Sequence, residues 1–167
     1  MWKTGINTYL NSEYLFEHLT RRRKEEEAYM TIRVGSNEEK EFILSKYPYT
    51  AQVMRSGGSL VVAAKGESIL GFSWSFRREI PAAVGKTEEY INVIEVFDAE
   101  QRCRGIGSLI VKKCIETARE NQCYQVRAYC DINNLPSHML WVKNGFTVSP
   151  VKMENGQIVG SYVAYKL

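Results

Sequence analysis

The sequence predicts an α/β fold built on a mixed sheet, and three observations lead to that prediction. In residues 88–120 a strand pattern gives way to a helical one, so the apolar period changes from two to about 3.6 residues. Hairpin patterns surround predicted turns at 65–68 and 154–157. The chain has 167 residues, 44% of them hydrophobic, which suits one well-packed domain. That domain is assigned to residues 29–167, preceded by an extension of residues 1–28.

The extension is predicted to be helical. Leu15, Phe16 and Leu19 form a modest apolar helix face, and the charged run 21–27 places arginines four residues before glutamates. This run is expected to be the solvated end of a helix. A basic docking patch is the alternative, although the neighbouring acids largely cancel its charge. The apolar face could also cover a partner subunit.

A strand and two short helices are predicted next. The strand covers residues 29–34. A capping box, Ser36 with a glutamate three residues later, starts a helix that runs to about Lys46. Pro48 ends that helix, because the residue before a proline is pushed out of the helical region. A second short helix is predicted at 50–56, where two glycines follow.

Two further helices and six further strands complete the predicted fold. One helix is capped by Asn134. The longer helix begins at Ile106 and has an apolar face made of Ile106, Leu109, Ile110, Cys114, Ile115 and Ala118. The strands are assigned to residues 59–64, 69–78, 90–97, 124–130, 146–153 and 158–167. The last two strands face each other across an Asn-Gly turn, which is a strong hairpin signal.

Charge, hydropathy and cysteine content exclude several functional classes. The net charge is +3, from 22 basic and 19 acidic residues, so nothing indicates nucleic acid as a partner. The longest clean apolar run, 60–64, is too short to span a membrane. The first residues lack the apolar core of a signal peptide, so a cytoplasmic location with reduced thiols is expected. No metal site is expected, because the four cysteines form no C-x-x-C pair and the chain has only two histidines.

The turn at 101–108, between the strand and the long helix, has the composition of an anion site. Free backbone N–H groups and the helix dipole favour negative oxygen at a helix start. Gly105 and Gly107 let the backbone approach a bulky anion, because neither residue has a Cβ. Arg102 and Arg104 add positive charge at the rim, so a diphosphate is the natural guest. A glycine-rich turn without any ligand is the alternative that this motif alone leaves open.

A second motif lies near the end of the chain. Asn134 is followed by Ser137 at three residues, by Trp141 at seven, and by Gly145-Phe146 at eleven and twelve. Together with R-x-x-G-x-G at 102–107, this spacing resembles the GNAT superfamily of acyl-CoA N-acyltransferases over the whole of the main domain. Two motifs in the right order are far more specific than either motif alone.

The resemblance implies a fold and a cosubstrate. The implied fold is a central, mostly antiparallel sheet of about six or seven strands, flanked by helices, whose central strand carries a bulge and splays from the parallel strand after it. Acetyl-CoA is the implied cosubstrate, with its pantetheine arm along Glu95–Phe97 and its diphosphate on Arg102–Ser108. The implied cofactor-binding residues are Val96, Phe97, Arg102, Cys103, Arg104, Gly105, Ile106, Gly107, Ser108, Asn134, Ser137 and Trp141.

Acyl transfer to an amine needs a base, because only the neutral amine attacks and a lysine-type amine titrates near ~10.4. Glu95 is the only acid inside the predicted central strand and is the candidate catalytic base. Its side chain could instead face solvent or pair with a lysine. A bulge changes the facing by one residue, so the sequence leaves both readings open. Glu88 and Glu89, at the strand entry, are weaker candidates.

The reaction also needs a general acid to protonate the departing thiolate. The resembled family usually has a tyrosine for this purpose at the position of Trp141, and this chain departs from that pattern. An indole N–H can only donate a hydrogen bond. Ser137, Cys130 or Tyr129 could take over this task. The thiolate could also leave unassisted, since a thiol titrates near ~8.5. His138 is expected to be a surface residue.

The resemblance implies an N-acetyltransferase that moves an acetyl group from acetyl-CoA to a primary amine of a small molecule or protein. The alternatives are an acyltransferase that uses a longer acyl-CoA, a catalytically silent CoA-binding or regulatory module, and an unrelated nucleotide binder. The acceptor pocket would lie among residues 47–56 and 79–87, where four contact candidates could equally be ordinary packing: Tyr47, Tyr49, Gln52 and Arg55. A homodimer is compatible with the resemblance, because dimers are common in that superfamily.

Overall fold

The computed structural model describes residues 16, 17, 20, 30–54, 57–80, 83 and 85–167. The predicted extension lies almost wholly outside these residues, as do Arg55 and residue 56, so the expectations for them stay predictions. Phe16, which the sequence places on the apolar face of the extension, is helical and exposed. The chain divides into two compact units, Met1–Met30 and Thr31–Leu167, and the second contains nearly all of the sheet.

The described part of the chain forms a seven-stranded sheet in the order β1-β2-β3-β4-β5-β7-β6. Its strands are β1 Met30–Val34, β2 Ser59–Lys65, β3 Ser68–Glu79, β4 Thr87–Val96, β5 Gln125–Asp131, β6 Thr147–Lys152 and β7 Ile158–Lys166. The helices are α1 Asn37–Lys46, α2 Ile106–Glu120 and α3 Leu135–Lys143. The β4–β5 pair is parallel, whereas β2–β3, β3–β4, β5–β7 and β6–β7 are antiparallel. The predicted mixed, mostly antiparallel α/β sheet is confirmed.

Capping chemistry explains where α1 begins. The Ser36 hydroxyl accepts a hydrogen bond from the Glu39 amide at 3.2 Å, and the Glu39 carboxylate accepts one from the Ser36 amide at 2.9 Å. This is the predicted capping box. Arg33 donates to the same carboxylate at 2.7 Å, and that bond is the largest cause lowering the pKa of Glu39. The end of β1 and the start of α1 are therefore joined by one ionic group.

The second short helix differs from the prediction. The sequence places it at 50–56, but the structure has a 3-10 turn at Pro48–Gln52. Proline starts the turn because its fixed φ suits the first helical position, where its missing N–H costs nothing. The Thr50 hydroxyl donates to the Tyr47 carbonyl at 2.7 Å and closes the turn early. Tyr47 and Tyr49 are thereby placed beside the end of β4, the central strand.

The pairing of β4 creates a gap in the sheet. Trp74 pairs with Val93 but Ser75 pairs with Ile91, so Asn92 is an extra residue in β4 and forms a bulge. The parallel β4–β5 pairing ends at Ile91↔Ala128 over the described strands. Beyond that point β4 pairs with β3 and β5 pairs with β7. The implied bulge and splayed parallel pair are both present.

The two faces of the sheet are covered by different elements. Ser73 contacts Cys114 of α2, with Oγ and Sγ 3.0 Å apart. Phe72 points to the opposite face, because successive strand residues alternate. There it packs in a hydrophobic core with Ile43, Met54, Leu60, Val62 and Trp74. The predicted apolar face of α2 is buried except for Leu109, which is half-exposed, while Val111 is buried in addition.

Glu89 gives the stability of the fold a testable pH dependence. Its side chain is buried on the α2 face of the sheet, where it accepts a hydrogen bond from the Ser75 hydroxyl, and burial raises the pKa of its carboxyl above the ordinary value. A raised pKa means that the folded state binds the proton more tightly than the unfolded state. The resulting stability is complete below the unfolded pKa, near ~4.3, and is lost as pH rises through the folded pKa.

We therefore expect Glu89→Gln to stabilise the protein at neutral pH, because glutamine keeps the size of the side chain without a charge to bury. Urea unfolding at pH 4 and pH 8 measures the effect. The difference from the unsubstituted protein should be positive at pH 8 and shrink toward pH 4. Glu67→Gln, in an exposed turn, is the control and should change nothing at either pH. An equal effect of Glu89→Gln at both pH values would contradict the assignment.

Candidate active site

The start of α2 presents a row of unused backbone donors. The amides of residues 103–108 donate to no backbone acceptor within the described ranges, and the first helical bond runs from the Leu109 amide to the Gly105 carbonyl at 3.1 Å. Gly105 is the N-cap residue, with φ +91°, a left-handed conformation that glycine adopts without steric cost. Six consecutive N–H groups without a backbone acceptor at a helix start are the kind of donors that bind an anion.

Neighbouring elements hold this loop in place. The Asn144 side chain, at the end of α3, donates to the Ser108 hydroxyl at 3.0 Å. Leu140 of α3 packs beside Gly107, where a Cβ would lie 3.4 Å from its nearest atom. Arg102 donates from Nε to the Val96 carbonyl at 3.1 Å and so ties the loop to the end of β4. These contacts fix the loop both to the end of β4 and to α3. Arg104, at the rim, is exposed.

The register of β4 shows which of its amides face the gap. The Phe97 amide donates to the Leu70 carbonyl of β3 at 3.0 Å. In an antiparallel ladder alternate residues bond to the same neighbour, so Glu95 also bonds toward β3. The amides of Ile94 and Val96 therefore point away from β3, toward the gap, as the Val96 carbonyl does in reaching Arg102. Of the three residues predicted to hold the cofactor arm, Val96 offers its backbone to the gap, whereas the Phe97 amide is already bonded.

Glu95 lies beside the gap and is half-buried. It faces the same side of the sheet as Phe72, its partner in β3. The Tyr49 hydroxyl donates to Glu95 Oε1 at 2.8 Å. Burial, and after it this hydrogen bond, raise the pKa of Tyr49 to about 12, so the phenol remains a donor throughout the neutral range. Within the described part of the chain, the partner of Glu95 is thus a tyrosine rather than a lysine.

Aromatic rings border this carboxylate. Tyr47 stacks on Phe97 with ring centres 3.9 Å apart, and Phe97 in turn contacts Phe72 at 5.4 Å. Tyr49 packs edge-on against Tyr47 at 6.2 Å. Of the four acceptor-contact candidates, Tyr49 therefore bonds to Glu95 and Tyr47 packs beside Tyr49. Gln52 is exposed, and Arg55 lies outside the described residues.

The opposite wall of the gap is formed by β5 and the start of α3. Asn134 caps α3 as predicted, because its side-chain oxygen accepts from the Ser137 amide at 3.2 Å. Trp141 is buried and packs on Phe146 with ring centres 4.9 Å apart. Its indole nitrogen donates to the Ser137 hydroxyl oxygen at 3.0 Å. The sequence placed these residues in one motif but did not show that Trp141 and Ser137 are bonded.

The other candidates for the acid have partners elsewhere. Tyr129 donates its hydroxyl proton to the Val159 carbonyl at 3.1 Å. Cys130 is buried, with its sulfur 3.6 Å from the Asn134 carbonyl. His138, expected at the surface, is partly exposed and lies 3.0 Å from the Asp131 carbonyl.

The weaker candidates for the base, Glu88 and Glu89, are both engaged in hydrogen bonds within the sheet. Glu88 is fully buried and accepts hydrogen bonds from Arg78 at 2.7 Å and Gln125 at 2.6 Å. Glu89 bonds to Ser75 on the other face of the sheet. Both precede the bulge, where β4 and β5 are still paired. Glu95 is the carboxylate of β4 that lies beyond the bulge, beside the open gap.

The described residues contain no group of three or more histidine, cysteine or acidic side chains arranged to hold a metal ion. No helix in the described ranges combines the length and the apolar character needed to cross a membrane.

Comparison with known proteins agrees with this geometry. A family model described as the acetyltransferase (GNAT) family matches residues 14–146. The IAA acetyltransferase from Bacillus cereus has a similar fold, with a TM-score of 0.64 and 20% identity, covering 83% of this chain and 99% of the other. An acetyltransferase from Bacillus subtilis in complex with CoA gives 0.62 and 16%, with the same coverage of 83% and 99%. A GNAT family acetyltransferase from Elizabethkingia anophelis with acetyl-CoA bound gives 0.60 and 19%, again covering 83% and 99%. Among curated proteins, none matches the sequence.

Proposed function

Since the chain belongs to the acetyltransferase (GNAT) family, we propose that it is an N-acetyltransferase that transfers the acetyl group of acetyl-CoA to a primary amine. The observation that carries this proposal is the row of free amides at 103–108 beside the gap between β4 and β5. The gap begins where the parallel pairing ends, and the anion site lies at the start of the helix that follows β4. A diphosphate with a long, narrow arm matches both features.

The diphosphate and the arm of acetyl-CoA would each meet complementary groups. The amides from Cys103 to Ser108 would hold the diphosphate, with Arg104 at the rim. The arm would lie in the gap, where the Ile94 and Val96 backbones offer donors and acceptors. Similar folds from Bacillus subtilis and Elizabethkingia anophelis have CoA or acetyl-CoA bound, which supports this assignment.

The chemistry follows from the groups beside the gap. A neutral amine attacks the thioester carbonyl, and Glu95 takes the proton that the nitrogen gives up, directly or through water. The developing oxyanion needs a fixed donor, and the Val96 amide would supply it. The C–N bond forms, the C–S bond breaks, and its electron pair goes to sulfur.

The acceptor would approach Glu95 past Tyr47 and Tyr49. These rings and the carboxylate would favour a positively charged amine before it loses its proton. The amine belongs to a small molecule or to a protein. The homodimer and the cytoplasmic location expected above remain proposals.

Isothermal calorimetry with CoA and thiol release from acetyl-CoA test the proposed function. We expect saturable CoA binding, and thiol release that depends on an added amine chosen from a panel of alkyl amines, aryl amines and peptides. CoA binding without turnover on any amine would indicate a silent binding module. Faster turnover with a longer acyl-CoA would indicate a different acyl donor, and the absence of any heat with CoA would overturn the proposal.

A further inference from the structure

The pair formed by Trp141 and Ser137 leaves one hydroxyl proton free. The indole N–H is only a donor, so the Ser137 oxygen must accept at the observed 3.0 Å. The Ser137 hydroxyl donates to no acceptor among the described residues. Its proton is therefore free to be donated to a ligand, and the accepted bond strengthens it as a donor.

The position of this hydroxyl is fixed from three sides. Ser137 lies in the first turn of α3, and its amide is bonded to the Asn134 side chain. Trp141 is buried against Phe146 and cannot rotate freely. The same helix holds the start of α2 through Asn144 and Ser108. The free hydroxyl thus lies in the first turn of α3, the helix that follows β5, and β5 borders the gap opposite β4.

We propose that Ser137 donates a hydrogen bond to the sulfur of the departing coenzyme A, and that Trp141 positions it for this purpose. The inference rests on the proposed function. When the C–S bond breaks, the electron pair stays on sulfur and the thiolate accepts the Ser137 bond. The amine proton goes to Glu95, and the thiolate is protonated afterwards from water. Ser137 keeps its proton, because an alkoxide is a far stronger base than a thiolate.

The Ser137 bond would replace the hydroxyl of the tyrosine that the resembled family usually has at the position of Trp141. A tyrosine there would reach sulfur with its own hydroxyl. Trp141 instead bonds back by one helical turn, and the serine at that position supplies the hydroxyl. Tyr129 and Cys130, the other sequence candidates, are bonded to backbone carbonyls or buried against them. The structure leaves Ser137 as the group with a proton to offer.

Titration of the CoA thiol in its complex with the protein tests the proposal without any amine. The ultraviolet absorbance of the thiolate is followed against pH for the unsubstituted protein and for Ser137→Ala. A hydrogen bond to the charged form lowers a pKa, so the bound thiol should titrate about one pKa unit higher in Ser137→Ala. Trp141→Phe should raise it by less, since the hydroxyl remains but loses its positioning bond. Ser149→Ala, on an exposed strand, is the control and should leave the titration unchanged.

Turnover adds a second readout. Ser137→Ala should lower kcat about tenfold with little change in KM for acetyl-CoA. Adding Trp141→Tyr to Ser137→Ala should restore part of kcat and lower the bound thiol pKa again, which a purely structural role of Ser137 does not predict. If Ser137→Ala and the unsubstituted protein give the same thiol pKa, the inference is wrong even when turnover is normal. If CoA binds and the thiol pKa responds to Ser137→Ala but no amine reacts, the proposed function fails and this contact stands.

Discussion

Replacing Glu95 with glutamine is expected to lower kcat/KM for the amine by about 10²- to 10⁴-fold, the usual contribution of a positioned base. Glutamine keeps the shape of the side chain and the acceptor oxygen that Tyr49 uses at 2.8 Å. It cannot take a proton from the attacking nitrogen. Steady-state thiol release across a range of amine concentrations measures the loss. Calorimetry should show unchanged affinity for CoA, because the free amides of 103–108 are untouched.

Tyr49→Phe separates the base from its partner. Phenylalanine removes the hydroxyl that donates to Glu95 but leaves the carboxylate in place. The pKa of Tyr49 is raised to about 12, so its phenol stays protonated at assay pH and does not serve as the base. We expect Tyr49→Phe to reduce turnover by about tenfold, the lower end of the value of one hydrogen bond to a charged group, because Tyr49 is exposed. A Glu95→Gln variant as active as the unsubstituted protein would rule out Glu95 as the base.

The side of the sheet that Glu95 faces could not be predicted from the sequence alone. Strand alternation and composition predict β4, but the facing of every residue after position 92 depends on whether Asn92 is paired or extra. That depends on the register with β3, which is fixed by Trp74 and Ser75 across the sheet. The Tyr49–Glu95 bond joins residues 46 positions apart. Local patterns contain no information about such a contact, so Tyr49 entered the sequence prediction only as one acceptor candidate.

The sequence predicted the starts of α1, α2 and α3 correctly, because the residues that cap a helix are close together in the chain. The capping box at Ser36, the Asn134 cap and the start of α2 at Ile106 were all predicted, because each depends on residues within one helical turn. The Trp141–Ser137 bond also spans one turn. Its spacing of four residues was available in the sequence and could have indicated the contact. The length of the 3-10 turn at Pro48 was missed, because it depends on which carbonyl the Thr50 hydroxyl reaches.

Adding a side chain at position 105 should abolish most of the binding of CoA. Its φ of +91° belongs to the left-handed region, and the amides on both sides of it form the anion site. Valine adopts this conformation only with strain of about 1–3 kcal/mol, and the backbone relieves that strain by rotating its amides out of alignment. We expect Gly105→Val to weaken CoA binding by about 100-fold, or about 2.7 kcal/mol, as measured by calorimetry.

Gly156→Val provides a control matched in conformation. Gly156 has φ +82° in the β6–β7 turn, and a Cβ at either glycine meets nothing within 4 Å. Both substitutions should therefore lower the thermal unfolding midpoint for the same reason, strain in the backbone. Only Gly105→Val should raise the Kd for CoA, because only that loop presents a row of free amides. Equal losses of affinity in the two variants would mean that general destabilisation, rather than the geometry of residues 103–108, controls binding of the diphosphate.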